Sequence, residues 1–257
     1  MYHPFSVPET IKTAWNVIKK NYVSLIVYSI ISLICYEVIK FFTGFIVVYD
    51  NQYSQVAFVF FMMLVQSYIV LSFYKLILTL MDREYYEFEF KDILPSFRMA
   101  LSFVTIAVLY TFLIGTIMFI NFRLDLTESA RAIVDKVEIL ALGYLLVRSM
   151  FCLCFIVDED SGPIESLKQS FFITWNNFFK LLSLILIVVI FVALLLIIIN
   201  LIITTMFDLD NDSYVFKLAA ICWFAISFPT VQVMIMASYR KLVYAHQDVD
   251  DDVSETL

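Results

Sequence analysis

Between Leu181 and Ile203 the chain carries no charged residue, and Ser183 and Asn200 are its only polar side chains. As a helix rising 1.5 Å per residue, those 23 positions reach about 35 Å. That is enough to cross a hydrocarbon core of about 30 Å with some tilt. A helix apolar on every side has no stable place at a water surface, so the run commits the chain to a bilayer. Composition extends the argument to the rest of the 257 residues. They are 62% hydrophobic and 16% charged, with a mean hydropathy of +0.88, too little polar surface to cover a soluble core. Only 4 Gly and 5 Pro occur, which leaves little room for irregular loops. Unbroken runs such as Leu194–Ile199 contradict the alternation of a membrane barrel. The expected fold class is all-α integral membrane.

The segment before this run is of a different kind. Ser161-Gly-Pro opens it, and Ile164, Leu167, Phe171, Trp175 and Phe178 then recur at helical spacing, with Lys168, Gln169 and Asn176 pointing elsewhere. This pattern predicts an interfacial amphipathic helix feeding a span. Phe5–Lys20 repeats the pattern. Ser6 and Glu9 have capping-box spacing, Ile11, Trp15, Ile18 and Tyr22 form the stripe, and Lys12, Asn16, Lys19 and Lys20 can meet water and lipid phosphate. The first residues lack a basic leader, short apolar core and small-residue cleavage site, so the first apolar segment is expected to persist as a span.

Spans are expected at about 22–45, 56–81, 101–120, a long fourth helix from 127 to 157, 181–203 and 214–239. Phe88–Met99 reads as a weaker interfacial helix broken by Pro95. The layout is six transmembrane helices as three repeats of interfacial helix plus helical hairpin, at about 5–81, 88–160 and 161–246. They form one membrane domain, 1–246, and an acidic disordered tail, 247–257. Of the 17 basic residues, 12 fall on the side of the N-terminus, the 82–98 and 158–180 loops and the C-terminus, counting the span-end residues Lys75 and Arg148, against five on the other. The positive-inside rule places both termini in the cytoplasm of a multi-pass inner-membrane protein.

Residue matches support the repeat. At a shift of 156, Glu9 meets Glu165, Lys12 meets Lys168, Trp15 meets Phe171 and Asn21 meets Asn177. At a shift of 166, Gln66 meets Gln232 and Lys75 meets Lys241. Apolar matches mean little in such a chain, whereas paired Gln, Lys and Asn matches are more selective. Residues 162–182, Gly-Pro-Ile-Glu-Ser-Leu-Lys-Gln-Ser-Phe-Phe-Ile-Thr-Trp-Asn-Asn-Phe-Phe-Lys-Leu-Leu, resemble the signature of a bacterial membrane-protein family. That family includes the membrane domain attached to some glycerophosphodiester phosphodiesterases and stand-alone six-helix proteins of uncharacterised function. The resemblance implies the layout and no activity. The phosphodiesterase domain needs paired His and metal-binding carboxylates, and the only histidines are His3 and His246.

Intramembrane polar residues are the candidates for chemistry. Glu37 and Lys40 can pair at i, i+3, or handle a substrate or proton near the outer end of the first span. Arg148 lies deeper and needs a partner, for which Glu37 or a lipid phosphate is suited. Gln66 and Gln232 read as interhelical hydrogen-bonding groups or as lining of a polar cavity, and Asn200 as one interhelical contact. Lys75 lies near the end of the second span. Asp208, Asp210 and Asp212 imitate the start of a calcium loop, but Ser213 and Ala219 stand where Gly and Glu belong, so helix capping is preferred. Cys152 and Cys154 point to different helix faces and read as small buried hydrophobes. No catalytic residue, cofactor or metal is assigned.

The expected function is non-enzymatic: binding of membrane lipid, or of another membrane protein or a second copy, through the bundle and its cytoplasmic interfacial helices. Lys12, Trp15, Lys168, Phe171 and Trp175 are the candidate binding residues. The alternative is a small-molecule or lipid transporter. The acidic balance, −7 overall, argues against nucleic acid.

Overall fold

A computed structural model of the chain describes residues 5–46, 51–82, 90–124, 127–207 and 214–244. Among these residues every regular element is a helix. They are α1 (Val7–Ile46), α2 (Gln52–Asp82), α3 (Phe90–Ile93), α4 (Phe97–Arg123), α5 (Glu128–Ser149), α6 (Cys152–Asp158), α7 (Pro163–Trp175), α8 (Phe178–Phe207) and α9 (Tyr214–Val243). Six stretches are long and apolar enough to cross a membrane: Val7–Phe45, Gln52–Asp82, Lys91–Arg123, Glu128–Asp158, Phe178–Ile202 and Ala219–Val243. The all-α, six-span class follows. The calcium-like run at 208–213, the tail at 247–257 and both histidines lie outside the described residues.

The chain forms two compact units. The first comprises Met1–Phe42, Leu80–Tyr86 and Phe179–Leu257. Here α1 kinks at Asn21 (φ −121°, ψ 18°), where the interfacial segment was expected to hand over to the span. The Asn21 amide donates to the Val17 carbonyl at 3.1 Å. Thr10, Ala14, Leu25 and Ser29 form the buried side of α1, while Lys12 and Trp15 are exposed. The Trp223 indole N–H donates to the Val192 carbonyl at 3.1 Å, joining α9 to α8. Lys241 reaches Glu9 at 3.4 Å, and Arg240 pairs with Asp82.

The second unit comprises Thr43–Thr79 and Glu87–Phe178. Of the interfacial helix expected over Phe88–Met99, the first two residues lie outside the described residues, α3 covers Phe90–Ile93, and Phe97 already belongs to α4. Pro95 lacks an N–H and pushes Leu94 out of helical conformation. Ser96 then restarts the chain as α4 by accepting the Met99 N–H at 3.2 Å. Lys75 donates to the Leu94 carbonyl at 3.0 Å, so the basic end of the second span holds the link before α4. On the exposed face of α4, Thr105, Thr111 and Thr116 each donate to the carbonyl four residues back at 2.8 Å. A hydroxyl facing hydrocarbon has no water to bond, and this arrangement satisfies it internally.

The fourth span departs from expectation. A continuous helix from 127 to 157 was predicted, yet α5 ends at Ser149 and α6 begins at Cys152. Phe151 at the break adopts φ −95°, ψ 0°. No Pro or Gly lies between residues 148 and 153 to announce this break. At the break the fourth span is packed by α7, which contacts α4, α5 and α6.

Candidate functional site

Helix α7 begins at Pro163, whose missing N–H costs nothing in a first turn. Its buried edge is Ser166, Ser170 and Thr174, spaced four apart and each fully inaccessible. Small residues allow close approach of helix backbones, and their hydroxyls supply the polar partners that a broken helix needs. Ser170 does this at the break. Its hydroxyl donates to the Arg148 carbonyl at 2.7 Å and accepts the Phe151 N–H at 3.2 Å. Thr174 adds a longer contact to the same carbonyl at 3.4 Å and bonds the Ser170 carbonyl at 2.7 Å. At the start of α7, Gln169 ties Ser161 to Glu159, at 3.0 and 2.7 Å.

Phe171 and Trp175, in the apolar stripe, are expected against either the bundle or acyl chains. The bundle takes the small polar edge. Phe171 is half-buried and Trp175 remains 69% exposed. Burial inside the bundle is not required of an apolar side chain that lipid can cover, whereas the open backbone of a broken helix does need partners.

Arg148, at the end of α5, is only 4% exposed. Its guanidinium carbon lies 4.9 Å from the Trp175 ring centre, 5.1 Å from Phe171 and 5.8 Å from Tyr144. These are cation–π distances. The group makes no hydrogen bond or ion pair among the described residues, and its Nε is buried without an acceptor. Glu37, one of the partners considered for it, instead lies 3.6 Å from Lys40 on α1. Arg148 opens into a groove of about 580 Å³ lined also by Leu167, Lys168, Phe171 and Trp175, with Ile164 and Phe172 at its edge. Tyr144 also touches Phe178, the first residue of α8, with ring centres 5.2 Å apart.

Three of the sequence candidates, Lys168, Phe171 and Trp175, meet Arg148 in this groove. Lys12 and Trp15 are exposed together on α1, in the first unit. Gln66 is exposed on α2, Asn200 lies on an exposed face of α8, and the Gln232 carbonyl oxygen is buried without a hydrogen-bond partner. Sequence reasoning missed Ser170 and Tyr144. The spacing of Ser166, Ser170 and Thr174 was the available signal for the first. Tyr144, four residues before Arg148, was the signal for the second. Comparison with protein-family models, characterised proteins and solved structures finds no match to the chain.

Proposed function

We propose that this protein is a non-enzymatic module of the cytoplasmic membrane that binds lipid where its interfacial helices meet the bundle. The observation that carries the reading is the orientation of α7. It holds the broken fourth span with a small polar edge and leaves Trp175 and Phe172 open, 69% and 83% exposed, beside a buried cation. A helix whose apolar edge is left uncovered and whose neighbour is an Arg with no anionic partner among the described residues is suited to a partner with a polar head and apolar chains. The resemblance of residues 162–182 to the phosphodiesterase-associated membrane domain agrees with a membrane module and adds no activity.

The test is extraction of the full chain in native-lipid particles, with mass spectrometry of what copurifies. One lipid class should be enriched over the bulk membrane, and the Phe171→Ala, Trp175→Ala double variant should lose the enrichment. A stoichiometric second protein in place of lipid would replace this reading with protein partnership.

A transporter reading draws on one feature, the discontinuous fourth span with a charged residue at its break, an arrangement found in transporters near a substrate site. The aromatic lining of the groove favours a lipid over a hydrated solute. A cysteine at position 148 separates the two. A solute pathway would let soluble maleimide reach it from either side of the membrane in turn, and a lipid groove would not.

A further inference from the structure

We infer that the groove between α5 and α7 is a binding site for an anionic glycerophospholipid, whose phosphate sits on Arg148 and Lys168. The inference rests on the lipid-binding reading above and names the ligand chemistry that this site would take.

The argument begins with the cost of Arg148. A guanidinium is never neutral at ordinary pH, so a buried one must find an anion or pay for its isolation. Rings of Tyr144, Phe171 and Trp175 at 4.9 to 5.8 Å offset part of that cost. They accept no hydrogen bond in the plane of the fork, and Nε stays buried and unmet. A guanidinium fork matches two oxygens of a phosphate.

Charge then selects among phosphates. Among the described residues, the ionisable side chains lining the groove are Arg148 and the exposed Lys168, both cationic. Two cations suit a headgroup with net negative charge and oppose one whose phosphate is balanced by a quaternary ammonium. The rim selects a lipid over a free ion. Ile164, Phe172 and Trp175 are 61%, 83% and 69% exposed, an apolar border that acyl chains would cover and an inorganic anion would not.

The experiment uses the full chain with Trp15→Phe and Trp223→Phe, so that Trp175 is the only indole. It is reconstituted in phosphatidylcholine vesicles containing a minor share of phosphatidylglycerol. Bromine is placed on the acyl chains of the phosphatidylglycerol, or on an equal share of the phosphatidylcholine. Brominated phosphatidylglycerol should quench Trp175 more strongly, corresponding to a preference on the order of tenfold. Lys168→Gln, at an exposed position, should lower that preference about fivefold, and Arg148→Gln should abolish it. Millimolar inorganic phosphate should leave it unchanged.

Equal quenching by the two lipids would overturn the headgroup assignment while leaving lipid contact standing. Quenching by neither would overturn lipid contact as well. Reversal by inorganic phosphate would make this a free-anion site and overturn the phospholipid. Full preference in a folded Lys168→Gln or Arg148→Gln variant would remove those side chains from the site.

Discussion

The Ser170 hydroxyl lies 2.7 Å from the Arg148 carbonyl and 3.2 Å from the Phe151 N–H, and so closes the break in the fourth span from a different helix. One side chain thereby fixes where α5 ends, where α7 docks and where the Arg148 side chain is held. Ser170→Ala should cost about 1–3 kcal/mol, because it leaves a buried N–H without its side-chain acceptor. Ser166 is equally buried, but its hydroxyl donates only to the Pro163 carbonyl within α7, at 3.0 Å. Ser166→Ala should change stability by less than about 0.5 kcal/mol. Denaturant titration in detergent measures both, and equal effects would remove the special role of Ser170.

Arg148→Met tests whether the buried cation is held for stability or for a ligand. In neutral detergent the relief of an unpaired buried charge should roughly offset the lost ring contacts, for a net change within about 1 kcal/mol. Adding phosphatidylglycerol should raise Tm for the natural chain, because a ligand that binds only the folded state stabilises it. The Met variant should show no such rise. A lipid-dependent rise retained by the variant would place the stabilising lipid elsewhere.

The bilayer commitment was legible in Leu181–Ile203, and the handover from interfacial helix to span was legible at Asn21, whereas in the third segment it comes at Asn176–Asn177, ahead of the expected Leu181. Both are local matters of charge, hydropathy and turn chemistry. The break at Met150 has no local signal in the sequence. Ser149-Met-Phe-Cys152 has no helix breaker, and the hydroxyl that replaces the missing partners comes from residue 170. The apolar stripe of α7 was legible, but not whether bundle or acyl chains would cover it; the bundle meets Ser166, Ser170 and Thr174. In a membrane, small polar residues can take the core side. Arg148 was recognised as needing a partner, but the three rings around it come from two helices whose relative placement no spacing rule supplies.

The 12-to-5 distribution of basic residues predicts cytoplasmic termini. With an impermeant maleimide added outside intact cells, Gln52→Cys and Asn211→Cys should label, and Ser254→Cys should label only after the membrane is opened. Cys35 and Cys222 are exposed on the apolar faces of spans, where a charged reagent does not reach. Outside labelling of Ser254→Cys would invert the topology and put the α7 groove on the opposite leaflet.

The remaining prediction concerns whether the first and third interfacial segments are copies of one unit. Thr10 and Ser166, Ala14 and Ser170, and Leu25 and Leu181 are equivalent at a shift of 156, and all six are buried, none more than 1% exposed. The α1 kink at Asn21 falls opposite the gap between α7 and α8 that contains Asn177. A shared architecture requires the same response to the same change. Leu at position 14 or at position 170 overfills a tight helix contact and should cost about 1–3 kcal/mol in either segment. Leu at the exposed equivalents Lys12 and Lys168 should stay within about 0.5 kcal/mol. Thermal melts of the four variants in one detergent decide the matter. Tolerance of Ala14→Leu beside damage from Ser170→Leu would mean that the two segments dock by different rules and that their residue matches are coincidence.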